Sequence, residues 1–215
     1  MCYCAMTHIN KSIIMLTENI PSDTRLDYRT IVDFIEPNSK VLDLGCGDGE
    51  LLDLLIKYKS CKGTGVEIDE KAIYECIAKG LTVSHGDIES NLLDYSDKRF
   101  DYVILNESLQ QVLHPQKAIL QALRVGKKVI VGIPNFCHVG ARTQIFFLGR
   151  VPVTKELPYQ WYNTPNLRFF SLKDFELFCK INGISILQRK GLGANQIVSF
   201  IPNLFAHIGI FLLEK

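Results

Sequence analysis

The strongest constraint in this chain is the run Val41-Leu-Asp-Leu-Gly-Cys-Gly-Asp-Gly49, an apolar strand pattern that breaks into alternate glycines. It passes directly into the helical pattern Leu51, Leu52, Leu54, Leu55. A strand that becomes a helix over so few residues needs backbone conformations that side chains oppose, and glycine supplies them. The same alternation continues as strand Gly63 to Ile68, helix Glu70 to Lys79, strand Leu81 to Ser84, strand Phe100 to Leu105, helix Pro115 to Arg124 and strand Lys128 to Ile133. Alternating strands and helices predict an α/β fold built on a parallel sheet with helices on both faces.

Residues 1–22 lack a period and are expected to be a tail or short docking segment. Residues 23–215 are expected to form one domain. Its first helix is predicted from an Asp23 or Thr24 cap through Leu26, Tyr28, Ile31, Val32 and Ile35, stopping at Glu36-Pro37. About 135–170 the rhythm breaks into a proline-rich and aromatic insertion, read as a long loop. Ser171 then caps a helix carrying Leu172, Phe175, Phe178 and Cys179, and Gly183 stops it. Ile184 to Arg189 and His207 to Leu213 read as the closing strands. The apolar stretch Phe200 to Leu213 is too short and interrupted to span a bilayer and reads as core strand.

Charge excludes some partners. Across 215 residues, 24 basic against 23 acidic side chains leave +1, too little for a field that would hold nucleic acid or an anionic membrane, so neither is expected. Seven cysteines (2, 4, 46, 61, 76, 137 and 179) without CxxC spacing fit reduced thiols in a cytoplasmic protein and no metal site. Met1 to Leu16 shows no export signal.

Three successive strand ends carry the chemistry. Gly45, Gly47 and Gly49 let backbone approach a ligand, and the following helix offers unpaired N–H groups. Glu67 ends the second strand, where a carboxylate can accept from both hydroxyls of a ribose. His85-Gly86-Asp87-Ile88 ends the third, with an acid for an exocyclic amine and an apolar side chain for a purine face. A nucleoside with adenine fits this set. A dinucleotide fits less well, because the third glycine comes one residue early and Asp48 would repel a diphosphate. The competing readings make Glu67 and Asp69 caps of the next helix and put Asp87 in a surface turn.

These residues resemble class I S-adenosylmethionine-dependent methyltransferases over about Leu26 to Arg189. The resemblance implies a Rossmann-like, seven-stranded, mostly parallel sheet with an antiparallel last strand. It implies S-adenosylmethionine, or S-adenosylhomocysteine, contacted by Asp43, Gly45, Cys46, Gly47 and Gly49, by Glu67 and Ile68, by Asp87 and Ile88, and by Asn106. A narrower likeness lies in Val41 to Leu52 (VLDLGCGDGELL), Gly65 to Asp69 (GVEID), Phe100 to Gln111 (FDYVILNESLQQ), Ile133-Pro-Asn-Phe136 and above all Gly149 to Asn166 (GRVPVTKELPYQWYNTPN). Together these are similar to the MetW family of methionine-biosynthesis proteins. That resemblance implies homoserine O-acyltransferase as a partner, which such proteins accompany or activate. The alternative is a free-standing methyltransferase acting on a small molecule.

Catalytic residues are not identified by the sequence. Glu107, after the fourth strand, is the one candidate base, set against a reading as a solvated acid opening the next helix. His138 and Arg142 stand four apart and can be read as an anion-binding pair or as a surface pair. Cys46 near a helix N-terminus invites a nucleophile reading, but its small volume in a tight loop explains it better. His8, His85, His114 and His207 read as packing or solvated residues. The aromatics Tyr159, Trp161 and Tyr162 predict a partner contact or a cofactor lid, against the alternative that they cover the sheet as core.

Overall fold

The computed structural model describes residues 20–154 and 157–215. Most of the expected tail, with Cys2, Cys4 and His8, lies outside the described residues. Ile20 already packs among the core side chains.

In chain order the elements are α1 (Leu26–Phe34), β1 (Lys40–Leu44), α2 (Glu50–Lys59), β2 (Lys62–Glu67), α3 (Glu70–Ala78), β3 (Val83–His85), α4 (Ile88–Asn91) and β4 (Phe100–Asn106). There follow α5 (Pro115–Val125), β5 (Gly126–Pro134), α6 (Val139–Leu148), α7 (Leu172–Ile181), β6 (Ser185–Leu192), β7 (Ile197–Val198), α8 (Pro202–Phe205) and β8 (Ile208–Glu214). The sheet runs β3-β2-β1-β4-β5-β8-β6-β7. The first five strands are parallel, and β8 enters antiparallel between β5 and β6.

Both faces of the sheet are covered, which explains the nearly unbroken apolar runs of its central strands. Val41, Tyr102, Ile104, Ile130, Ile210 and Leu212 face one layer with Ile31 and Val32 of α1, Ile35 just after it, and Leu51, Leu54 and Leu55 of α2. Their neighbours Leu42, Leu44, Val103, Leu105, Val129, Val131, Phe211 and Leu213 face the other, against Ala118, Ile119 and Ala122 of α5 and Leu172 and Phe175 of α7. The strict alternation is the two-residue period of a strand.

Several expectations shift. The sheet has eight strands and not seven, because residues after β6 fold back as the two-residue hairpin strand β7. The first helix is entered from Arg25: Thr24 N–H closes a turn on the Pro21 carbonyl at 3.1 Å, which leaves Asp23 and Thr24 outside the helix. Phe200 to Leu213 is not one strand, since Pro202 opens the short helix α8 and only Ile208–Glu214 joins the sheet. The insertion is not all loop. His138 caps α6 by accepting the Gly140 N–H at 3.0 Å, and Gly149 in the left-handed region ends it.

Candidate functional site

β1, β2, β3 and β4 end on the same edge of the sheet, and a cleft of about 260 Å³ opens there. Gly45, Glu67, Ile68, Gly86, Asp87, Ile88, Glu107 and Ser108 are among the residues that line it. The parallel register brings residues from across the sequence together, as expected at the carboxyl edge of such a sheet.

The loop after β1 holds Gly45, Gly47 and Gly49 at φ of 76°, 56° and 79°, a region costly for side chains. A Cβ at Gly45 would sit 2.9 Å from Ser108 Cβ, whereas one at Gly47 would meet nothing within 4 Å. Gly47 therefore leaves open space over the loop, as a ligand cradle requires. Ser108 Oγ is buried in the cleft wall without a hydrogen-bond partner among the described residues, a vacancy for a polar ligand atom.

Glu67 is fixed by three backbone donors. Its Oε2 accepts the Gly47 N–H at 2.8 Å, and its Oε1 accepts the N–H groups of Ile68 at 2.7 Å and Asp69 at 3.0 Å. One carboxylate thus braces the loop while facing the cleft. Asp69, and not Glu67, caps α3 through Ala72 N–H. Asp87 caps α4, its Oδ2 accepting from Glu89 N–H at 2.9 Å and Ser90 N–H at 3.1 Å. It is nonetheless in the cleft wall, so the capping bonds fix its orientation there.

Asp43 is buried in β1. Burial pushes its carboxyl up to about 7, and the charge of Glu67 adds to the effect. Cys46 turns its sulfur away behind the loop, packing with Leu52 and Cys76 and filling the space a Cβ on Gly65 would need. Burial holds its thiol well above the usual range, which removes the nucleophile reading and leaves only its backbone for a ligand.

Asn106 lies off the cleft. Its amide donates to Asp27 Oδ2 at 2.8 Å, and its Oδ1 fills the space beside Gly132. Glu107 is neither an isolated base nor a solvated acid opening a helix. Arg25 Nη2 pairs with its Oε2 and, at 2.7 Å, with Asp27 Oδ2, tying α1 to the end of β4. Beside this knot lies a second chamber of about 690 Å³ lined by Arg25, Arg29, Asp27, Glu107, Asn195 and His207, which shares Glu107 with the cleft. His138 and Arg142 do not form an anion site: the His138 ring stacks on His207 at 4.1 Å, and Arg142 Nε donates to the Cys137 carbonyl at 2.6 Å.

Asp48 differs from its sequence reading too. Lys79 Nζ pairs with its Oδ2 at 3.0 Å, so its charge is offset and the repulsion argument against a diphosphate weakens. The glycine spacing carries that argument instead. The aromatic insertion is not core: Trp161 is 73% exposed, Tyr162 is also strongly exposed, and α6 ends in Phe146 at 81% and Phe147 at 75%. The insertion meets the segment that also carries the cleft residues Ser108 and Gln111: the N–H groups of Leu167 and Arg168 donate to the Gln110 carbonyl at 2.9 and 3.2 Å. Among the described residues no helix is long and apolar enough to cross a membrane, and no three His, Cys, Asp or Glu side chains are grouped to hold a metal ion.

This sheet order and strand-end cleft define a class I methyltransferase fold, and solved structures share it. An S-adenosylmethionine-dependent methyltransferase of Archaeoglobus fulgidus superposes with a TM-score of 0.66 at 16% identity, covering 99% of this chain and 100% of that one. One from Clostridium acetobutylicum gives 0.59 at 14%, covering 100% and 99%. Within that class the chain belongs to the MetW family: the family model described as methionine biosynthesis protein MetW matches residues 25–213. A bifunctional methionine biosynthesis protein MetXA/MetW of Rhodopirellula baltica is 35% identical over 166 residues, 72% of this chain. The match spans only 27% of that longer relative.

Proposed function

We propose that this protein binds S-adenosylmethionine or S-adenosylhomocysteine at the strand-end cleft and acts in methionine biosynthesis as a partner of a homoserine O-acyltransferase. The observation that carries the ligand is the convergence of Gly45, Glu67, Asp87, Ile88 and Ser108 on one cleft. The glycine loop passes under the amino-acid part, Glu67 accepts from the ribose, Asp87 takes the adenine amine and Ile88 lies against the ring. Bound there, S-adenosylmethionine would supply an electrophilic methyl group on a sulfonium. The chain's own contribution is to orient the ligand and exclude water, since positioning supplies much of the catalysis in such a transfer.

The partner rests on the family and on the bifunctional relative, where a segment like this chain shares one polypeptide with a MetXA portion. The exposed aromatics of residues 149–166, with Phe146 and Phe147, provide the contact, because Trp, Tyr and Phe supply large areas at low entropic cost. The free-standing enzyme remains the second reading, favoured by the charged chamber adjoining the cleft at Glu107. Titration calorimetry with S-adenosylmethionine, S-adenosylhomocysteine and NAD tests the ligand, and NAD binding alone would overturn it. Co-purification with a homoserine O-acyltransferase tests the partner.

A further inference from the structure

The glycine-rich loop has little side-chain material of its own to hold it, so its shape comes from neighbours. α3 and the residue that ends it provide two attachments outside the cleft. The Cys76 thiol donates to the Gly47 carbonyl at 3.2 Å, and Lys79 Nζ donates to the Asp48 carbonyl at 2.8 Å as well as to Asp48 Oδ2. In a trans peptide the C=O and N–H point opposite ways. Anchoring the carbonyls of 47 and 48 on α3 therefore turns the N–H groups of 48 and 49 away from it. The Gly49 N–H closes on the Cys46 carbonyl at 3.0 Å.

Asp48 has a second consequence. Its Oδ1 accepts the Glu50 N–H at 3.1 Å, which places a negative charge at the N-terminus of α2, beside the loop proposed to carry the amino-acid part of the ligand. That part is a zwitterion, with an ammonium and a carboxylate on one carbon. Unopposed, Asp48 would draw the ammonium toward itself and push the carboxylate away, turning the group out of the pose the loop offers.

We propose that Lys79 is the specificity-determining residue of this loop: by clamping residue 48 and cancelling its charge, it lets the site hold a nucleoside that carries a zwitterionic amino-acid group. Lys79 does not touch the ligand. It acts through Asp48 as a positioning residue, and the proposal rests on the ligand reading above.

The test compares S-adenosylhomocysteine with 5′-methylthioadenosine, which has the same nucleoside and no amino-acid part, in calorimetric titrations of the full chain. The Lys79–Asp48 pair is partly exposed, 37% and 44%, so the effect is screened and moderate. Lys79→Met is expected to weaken S-adenosylhomocysteine about fivefold at low ionic strength and less in 0.5 M salt. Methylthioadenosine should stay within about twofold, and Lys79→Arg should restore the wild-type affinity. Adding Asp48→Asn to Lys79→Met should recover most of the loss, because the uncancelled charge is gone. Equal losses for both ligands would make Lys79 a fold residue and overturn the proposal, as would no loss for either. If wild type binds neither ligand, the ligand reading fails first. Hydrogen exchange then decides the clamp: faster exchange confined to residues 46–49 in Lys79→Met sustains it, and unchanged exchange rejects it. Should Lys79→Met fail to fold, Asp48→Asn alone carries the test, with unchanged or tighter S-adenosylhomocysteine binding expected and a loss overturning the proposal.

Discussion

The glycine loop and the aromatic insertion flank the same sheet edge yet are built on opposite terms. Around Gly45 to Gly49 the main chain is fastened by Glu67, Cys76 and Lys79, and open space is left only above Gly47. In the insertion the backbone is pinned at a few points, such as the Gln144 amide bonded both ways to Val153 at 3.0 and 3.1 Å, while large side chains stand in solvent. A braced backbone with a small vacancy suits a small ligand. Pinned backbone presenting Phe146, Phe147, Trp161 and Tyr162 suits a macromolecular surface.

Breaking the loop should have the largest effect. Gly49→Val places a Cβ 2.4 Å from Leu81 Cδ1 and 2.9 Å from Cys76 Sγ at a φ of 79°. Overpacking and left-handed strain together should cost about 3 to 5 kcal/mol in urea denaturation. A loss below about 1 kcal/mol would show that the loop yields freely and undo the contrast.

Asp43 beneath the loop gives the next effect, through pH. Its carboxyl is raised to about 7 in the folded chain against 3.8 as the ordinary value, chiefly by burial and then by Glu67. The folded state therefore holds that proton more tightly than the unfolded state. The stability it contributes is full below about pH 4 and is lost as pH rises through 7. Between pH 5 and 8, wild type should lose about 2 to 4 kcal/mol more than Asp43→Asn in the absence of ligand. Parallel pH profiles for the two proteins would remove Asp43 as the cause.

Glu67→Ala removes both the brace on Gly47 and the proposed ribose acceptor. S-adenosylhomocysteine should bind about 1 to 3 kcal/mol more weakly by calorimetry, and an unchanged constant would move the ribose elsewhere. Trp161→Ala should act least on the fold, changing stability by under about 0.5 kcal/mol, because the side chain is mostly in solvent. Its expected effect is loss of co-purification with the acyltransferase, with S-adenosylhomocysteine affinity retained. A collapse of the melting temperature would assign the insertion to the fold and erase the distinction between the two regions.

Much of the sheet was legible because its signals are local. Val41 to Leu44, Phe100 to Asn106 and Gly126 to Pro134 are apolar runs bounded by turn residues, and each side chain's face follows from the two-residue period. Glu67, the last residue of β2, and Asp87, two residues beyond β3, were legible for the same reason, since parallel strands deliver their C-terminal ends to a common edge. α6 was obscured because its apolar end faces solvent, so no stripe directed toward a core marks it. The strand β7 is two residues long, below what a periodic pattern can reveal.

The amino-acid order by itself determined the alternating strands and helices, the glycine turn after β1, and the placement of an acid at the end of β2. These depend on residues within one turn or one strand of each other. Only the tertiary structure decided that Arg25 meets Glu107 across 82 positions, that Lys79 cancels Asp48, and that Ser108 rather than Asn106 faces the cleft. The trajectory of strands and helices between distant residues sets whether they meet. No local period or spacing encodes that trajectory, and an ion pair or an orphaned hydroxyl exists only once the sheet has closed.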